Sequence, residues 1–410
     1  MVEVNSEIGR LEKVIVHSPG KEIQDMTPKM AEELLYNDII PLSVVSDEHA
    51  RLKNILGRVA EVYEFTDLLT QSLEDKEVRT AFIDRLITVA KIPERREELL
   101  ELDQLGLVRV IVTGLPEKKC SLEKYLSGRQ YDINPLPNLY FTRDAAMVFG
   151  DQVISGAMAN RVRQAESEAA ALFFENHPAL ANDGFILEGH RNENGNLTIE
   201  GGDFLVLSEV CLLIGISERT TPASIDHIAR TIGKDKPLTI FAVVLPRERA
   251  TIHLDMILTQ ISRNELMIYE PYIVGNQKLR FIKLEVKPGR EPVISEVPDL
   301  LKALRQEGFD MKPVFCGDAD PVQQQREQWL SGNNFFAIAP GKIIGYACNN
   351  YTMDALSRAG YDIKTDDDFL LRGDSIDRYE KLVIGIKGVE LARGGGGARC
   401  MTCPVKRQPL

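Results

Sequence analysis

Phe141-Thr142-Arg143-Asp144-Ala145-Ala146-Met147-Val148-Phe149-Gly150-Asp151-Gln152-Val153-Ile154 reads as a polar approach, a short apolar run, a Gly-Asp turn and a second apolar run. Two such runs joined by turn-forming residues spell a β-hairpin. The grammar returns three times. Residues 204–207 and 210–216 flank Ser208-Glu209, residues 256–258 and 266–269 flank Ser262-Arg263-Asn264, and residues 335–338 and 343–346 flank Pro340-Gly341. Segments of helical period follow three of the hairpins, at 161–174, 222–232 and 353–359. Near the N-terminus, residues 11–17 form a β-branched run closed by Ser18-Pro19-Gly20, which predicts a buried strand. Four hairpin units and this strand predict a closed ring of similar modules that share a pattern rather than a sequence.

One region has a different texture. After an N-capped helix signal at Thr27-Pro28 and helical spacing over 45–62, residues 66–126 are charged and helix-periodic with almost no strand character. The expectation is a small helical domain inserted at 66–126, with 1–65 and 127–410 forming the ring.

The chain has 410 residues, 44% hydrophobic and 27% charged, the composition of an ordinary globular protein. Its 49 Lys and Arg against 61 Asp and Glu give a net charge of -12, which argues against nucleic acid and anionic membranes as partners and mildly favours a cationic small substrate. No basic and apolar leader and no run of about 18 apolar residues is found. Cys120, Cys211, Cys316, Cys348, Cys400 and Cys403 form no disulfide framework, so a reducing, cytoplasmic setting is expected.

Close to the C-terminus stands Arg393-Gly394-Gly395-Gly396-Gly397-Ala398-Arg399-Cys400-Met401-Thr402-Cys403-Pro404. Four consecutive glycines contribute nothing to packing and lose the most backbone entropy on folding. A bare backbone that passes close to a ligand and delivers Cys400 as a nucleophile explains them; a flexible tail is the competing reading. A phosphate cradle lacks the Lys-Ser or Lys-Thr pair, and a zinc knuckle at Cys400 and Cys403 lacks a second ligand pair.

Polar residues stand just ahead of three hairpins: Asp144 in Phe-Thr-Arg-Asp, Glu200 in Glu-Gly-Gly-Asp, and His253 and Asp255 in His-Leu-Asp. In a ring these positions converge on Cys400. A thiol and an imidazole are the inventory of a cysteine hydrolase or transferase, and three carboxylates beside them suit a guanidinium, which presents paired N–H donors to each. A bound cation also favours the thiolate, offsetting acids that alone would raise its pKa. The His-x-Asp and Glu-x-x-Asp spacings are compatible with a divalent metal as well, which would leave the thiol without a role.

These residues carry a resemblance. Residues 137–144, Glu200-Gly201-Gly202-Asp203, Ser217-Glu218-Arg219-Thr220, His253-Leu254-Asp255 and Ala398-Arg399-Cys400-Met401 resemble the ordered motifs of the arginine deiminase family of guanidine-modifying (pentein) proteins. The resemblance extends over nearly the whole chain. It implies a pseudo-symmetric five-module α/β propeller and hydrolysis of L-arginine to L-citrulline and ammonia, without metal or organic cofactor. It further implies that Cys400 forms a covalent amidino intermediate, His253 exchanges protons, and Asp144, Asp255 and Glu200 hold the guanidinium. Asn138, Arg163 and Arg219 match the positions that bind the substrate α-carboxylate, and the family forms homo-oligomers. Ala145 stands where the family has proline, and Arg393 or Arg399 is a candidate gate. The alternatives are a relative acting on agmatine or methylated arginines, an amidinotransferase, and a non-catalytic arginine-binding scaffold.

Overall fold

Ala146–Phe149 and Gln152–Ser155 pair antiparallel, from Ala146 opposite Ser155 to Phe149 opposite Gln152. Gly150 makes the turn at φ +61°, a conformation that costs an L side chain energy. The other three predicted hairpins also form: Phe204–Ser208 with Cys211–Ile216, Leu258–Ser262 with Glu265–Ile268, and Phe336–Ala339 with Lys342–Tyr346. The computed structural model describes residues 1–34, 36, 38–119, 121–192 and 195–410; Cys120 lies outside them. The five cysteines within them are free.

Each hairpin acquires a third strand that the sequence pattern did not reveal. Phe185–Glu188, Leu238–Val244, Lys312–Phe315 and Leu382–Ile386 add in parallel to the second strand of the four hairpins in turn. A parallel return requires a crossover, and helices Gln164–Asn176, Pro222–Ile232, Leu300–Gln306 and Asn350–Arg358 lie on the four crossovers. Leu11–Val16 repeats the arrangement with the two ends of the chain, pairing parallel with Glu61–Glu64 and antiparallel with Cys403–Arg407. Among the described residues there are thus five sheets of three to five strands and one small two-stranded ribbon. The larger sheets gain extra strands, Arg280–Val286 and Val293–Val297 on one and Asp362–Thr365 on another.

The helical spacing expected over 45–62 is divided. The helix is Leu42–Leu56, it stops at Gly57, and Glu61–Glu64 is the parallel strand just described. The expected helix 161–174 likewise begins with a 3-10 turn, Arg161–Arg163, ahead of Gln164–Asn176. Between 65 and 126 run the helices Phe65–Ser72, Lys76–Ala90, Arg96–Leu100, Gln104–Thr113 and Leu122–Leu126. Asp75 and Asp103 cap two of them by accepting from backbone N–H groups of the first turn. Their apolar faces join the sheets in one core: Phe65, Leu69, Ile83 and Leu107 pack with Ile15, Val148, Leu172 and Phe173. Among the described residues no helix is long and apolar enough to cross a membrane.

Phe65 and Phe173 meet edge to face at 4.8 Å, bridging the first helix of this region and the crossover helix behind Asp144. Phe65→Ala should therefore lower unfolding free energy by roughly 3–5 kcal/mol, measured by urea titration. A loss under about 1 kcal/mol would mean that the two parts do not share a core.

Candidate active site

Each hairpin is entered through a tight turn, and the turns carry the polar residues. Asp144 lies on the single turn Thr142–Ala145, Glu200 leads into the 3-10 turn Gly201–Asp203, and His253 and Asp255 bracket the start of Leu254–Met256. Cys400 lies three residues ahead of Cys403–Arg407. All five are buried. Asp203 ties two turns together: its carboxylate accepts from the Leu254 N–H at 2.8 Å and the Ser217 hydroxyl at 2.6 Å. Burial pushes that carboxyl up to about 6, against the pull of His253 and its hydrogen bonds.

His253, Asp144 and Cys400 line one small cavity with Asn138, Phe141, Arg163, Arg219, Ile252 and Gly394 to Gly396. His253 Nε2 is 3.1 Å from Glu200 and its Nδ1 is 3.8 Å from Asp144. Burial alone would push the imidazole down, but Asp144, Glu200 and Asp203 hold it up at about 9, so it is an imidazolium at neutral pH. Glu200 meets the opposite balance. Burial pushes its carboxyl up, yet Arg219, His253 and Arg163 hold it well below the usual carboxylate range. Asp255 lies 3.7 Å from Cys400 Sγ and accepts from Arg399 at 2.9 Å, while burial raises its pKa. Burial also pushes the Cys400 thiol well up, and Asp255 and Asp144 add to the effect.

The arginines are arranged less uniformly than expected. Arg163 turns its guanidinium into the acids, 2.9 Å from Asp144, 3.3 Å from Glu200 and 2.8 Å from Glu166. Buried carboxylates this close together require a cation, and Arg163 reaches three of them. Arg219 donates to Glu200 at 3.1 Å, while its buried Nε has no hydrogen-bond partner among the described residues. Asn138 donates to the Leu34 carbonyl at 2.7 Å. Of the two candidate gates, Arg399 is wholly buried and pairs with Glu7 and Asp255, which removes it from any gating role. Arg393 lies at the surface, bridging Asp38 and Glu390.

The four glycines have separate steric reasons. A Cβ at Gly397 would lie 2.6 Å from the Asn334 side chain, one at Gly396 would strike the Phe141 ring, and one at Gly394 the Tyr140 hydroxyl. Gly395 takes φ +98°. The loop is buried, hydrogen-bonded structure: the Tyr346 hydroxyl donates to the Gly396 carbonyl at 2.8 Å. A flexible tail is thereby set aside.

Asn334 was missed from the sequence although it obeys the same rule as the others. It stands two residues ahead of the fourth hairpin, as Asp144 does ahead of the first. Its amide nitrogen is 3.2 Å from Cys400 Sγ.

Asp144, Glu200 and His253 bring ligand atoms within 4.8 Å of one another, the spacing of a metal site. Arg163 and Arg219 already point into these carboxylates and offset part of their charge.

Solved structures of similar fold define the class. SxtG, an amidinotransferase of Microseira wollei in the saxitoxin biosynthetic pathway, superposes with a TM-score of 0.55 over 100% of this chain and 98% of that one, at 13% identity. The N-terminal domain of ArgZ, a cyanobacterial arginine dihydrolase bound to product, gives 0.52 over 96% and 97% at 15% identity. A dimethylarginine dimethylaminohydrolase adduct with S-methyl-L-thiocitrulline gives 0.50 over 96% and 99% at 12% identity. The fold is the mixed α/β pentein fold of these hydrolases and amidinotransferases. At the level of sequence, the arginine deiminase family model matches residues 32–407. The arginine deiminase of Pediococcus pentosaceus is 32% identical over 430 residues, covering 100% of this chain and 99% of that one. That of Mycobacterium marinum is 30% identical over 422 residues, covering 99% and 98%. The chain belongs to the arginine deiminase family, whose reaction is hydrolysis of L-arginine to L-citrulline and ammonia.

A Cβ at Gly202 would lie 2.5 Å from the His253 ring. Gly202→Ala should move the imidazole off Glu200 and lower kcat roughly a hundredfold, with KM for arginine changed far less. Steady-state kinetics showing unchanged kcat would mean that the position of His253 is not set by this contact.

Proposed function

We propose that Cys400 is the nucleophile, His253 the proton donor and acceptor, and Asp144, Asp255 and Glu200 the seat of the substrate guanidinium. The observation that carries this reading is Arg163. Its guanidinium lies between Asp144 and Glu200, 2.9 and 3.3 Å away, in the cavity that Cys400 and His253 line. What accepts one arginine side chain accepts another, and free arginine presents the same planar fork of N–H donors. On binding, the substrate takes this position and Arg163 turns to the α-carboxylate with Arg219 and Asn138.

Chemistry then follows from the charges. The substrate cation adds positive charge beside a thiol that burial and two aspartates disfavour as an anion, and so promotes the thiolate, the thiol proton leaving to solvent. Sulfur adds to the guanidinium carbon, the bond to a terminal nitrogen breaks, and that nitrogen takes a proton from the His253 imidazolium and leaves as ammonia. The amidino group remains on Cys400. Neutral His253 takes a proton from water as its oxygen adds to the same carbon; the C–S bond then breaks with its electrons on sulfur, the hydroxyl proton of the adduct passes to that sulfur, and citrulline departs with Cys400 again a thiol.

The five sheets are read as the modules of one closed ring, with 66–126 as the inserted helical domain and 1–65 with 127–410 as the catalytic body. The pairing of the first strand with Cys403–Arg407 supports closure. The enzyme is taken to be a cytoplasmic homo-oligomer acting on free arginine, with no nucleic-acid or membrane partner.

Purified protein should form citrulline from arginine and far less product from agmatine, which offers Arg219 no carboxylate. Acid-quenched turnover should show an amidino adduct on Cys400 by mass spectrometry, and Cys400→Ser should cut kcat at least about a thousandfold. Binding of arginine without turnover by the unmodified protein would favour a scaffold, and an adduct on Cys403 would contradict the assignment. Because His253 must be protonated to release ammonia and its pKa in the free protein is raised to about 9, kcat/KM should hold below that pH and fall as pH rises through it. An alkaline limb centred near the ordinary histidine value, about 6.5, would remove the carboxylates as its cause.

A further inference from the structure

We propose that Asn334 is a further catalytic residue, whose side-chain amide donates a hydrogen bond to the Cys400 sulfur and stabilises it as the attacking thiolate. The inference rests on Cys400 being the nucleophile. The geometry leaves little freedom in how the amide is oriented. Its oxygen accepts from two successive backbone N–H groups, of Arg399 at 2.9 Å and Cys400 at 3.1 Å. Its nitrogen therefore faces the other way, 3.2 Å from Cys400 Sγ and 3.3 Å from the Asp255 carbonyl. A flipped amide would set its N–H2 against two donors and its oxygen against a carbonyl and a sulfur that carries charge when it reacts.

The loop and the turn are shaped for this contact. Asn334 is almost fully buried, and its own N–H donates to the Ser331 carbonyl at 3.0 Å. Next to it, the Asn333 carbonyl accepts from Thr259 at 2.6 Å and its side chain donates to the Met256 carbonyl at 3.2 Å. Gly397 is bare where Asn334 crosses the loop. A neutral donor thus points at Sγ, an arrangement that lowers the energy of an anion there and costs little reorganisation on reaction.

The remaining charged and titratable groups around the sulfur work against the anion or act from farther away. Asp255 and Asp144 disfavour it, and the buried phenols of Tyr140 and Tyr346 add no charge. Arg399 favours it, but its guanidinium is spent on Glu7 and Asp255; His253 lines the same cavity and is paired with Glu200. The Asn334 amide on the sulfur offsets the acids that the cationic substrate requires.

The test is the pH dependence of alkylation of Cys400 by iodoacetamide, followed on the peptide that carries it by mass spectrometry, in the unmodified protein and in Asn334→Ala. Loss of one hydrogen bond to a charged sulfur should move the midpoint up by about one pH unit, while the limiting rate at high pH is kept. An unchanged midpoint overturns the proposal, even if turnover falls, because a merely structural role would lower the limiting rate and leave the midpoint alone. If Asn334→Ala does not fold, Asn334→Ser gives the same comparison with a side chain too short to reach the sulfur. Failure of both to fold would assign Asn334 to the scaffold and likewise overturn it. Alkylation needs no substrate, so absence of citrulline from arginine would sink the functional reading separately.

Discussion

Buried acids around the cavity are paired with buried guanidiniums, and the site exists because that balance closes. Asp144, Glu200 and Asp255 are each more than nine-tenths out of contact with solvent, and each has an arginine within 3.3 Å. Isolated carboxylates in such surroundings would take up protons. Glu200 shows how far the arginines win, since its carboxyl is held well below the ordinary range despite complete burial. Behind the cavity the same exchange ties the ends of the chain together. Glu7 is held near 2 by Arg399 and Arg143 against its burial, and Arg399 in turn holds Asp255. Removing one partner of such a network leaves an uncompensated charge, which costs more than the pair itself is worth.

A site that selects cations is awkward for a thiol nucleophile. Burial pushes the Cys400 thiol up, and the carboxylates that would hold a guanidinium disfavour the thiolate further. In the proposed mechanism, reactivity coupled to the arrival of positive charge resolves the conflict and would leave the thiol quiet at other times. Cys403 lies three residues away, equally buried, with its sulfur directed at the Ala146 carbonyl rather than at the cavity.

The hairpins were legible because each alternates around residues that turn, Gly150-Asp151 being the clearest. The parallel third strands were not, since a strand such as Phe185–Glu188 is four residues long and pairs only after a crossover that no local pattern announces. At 61–64 the chain changes from helix to strand within five residues of Gly57, too short a stretch for periodicity to register. Motif spacing brought out Cys400, His253, Glu200, Asp144 and Asp255, and the cavity unites them or lies against them. Asn334 escaped because a neutral amide carries no chemistry in isolation, although its place ahead of the fourth hairpin matched the rule. The direction of Arg163 was also out of reach, since a sequence does not say which of several acids an arginine will face.

The most direct measurement is the structure of the Cys400→Ala protein with L-arginine bound. The guanidinium should lie among Asp144, Glu200 and Asp255, with its carbon above the position of the missing sulfur, Arg163 displaced from Asp144, and the α-carboxylate on Arg219 and Asn138. Arginine bound with its carboxylate toward Cys400, or outside the cavity with Arg163 still paired to Asp144, would contradict the assignment of the site.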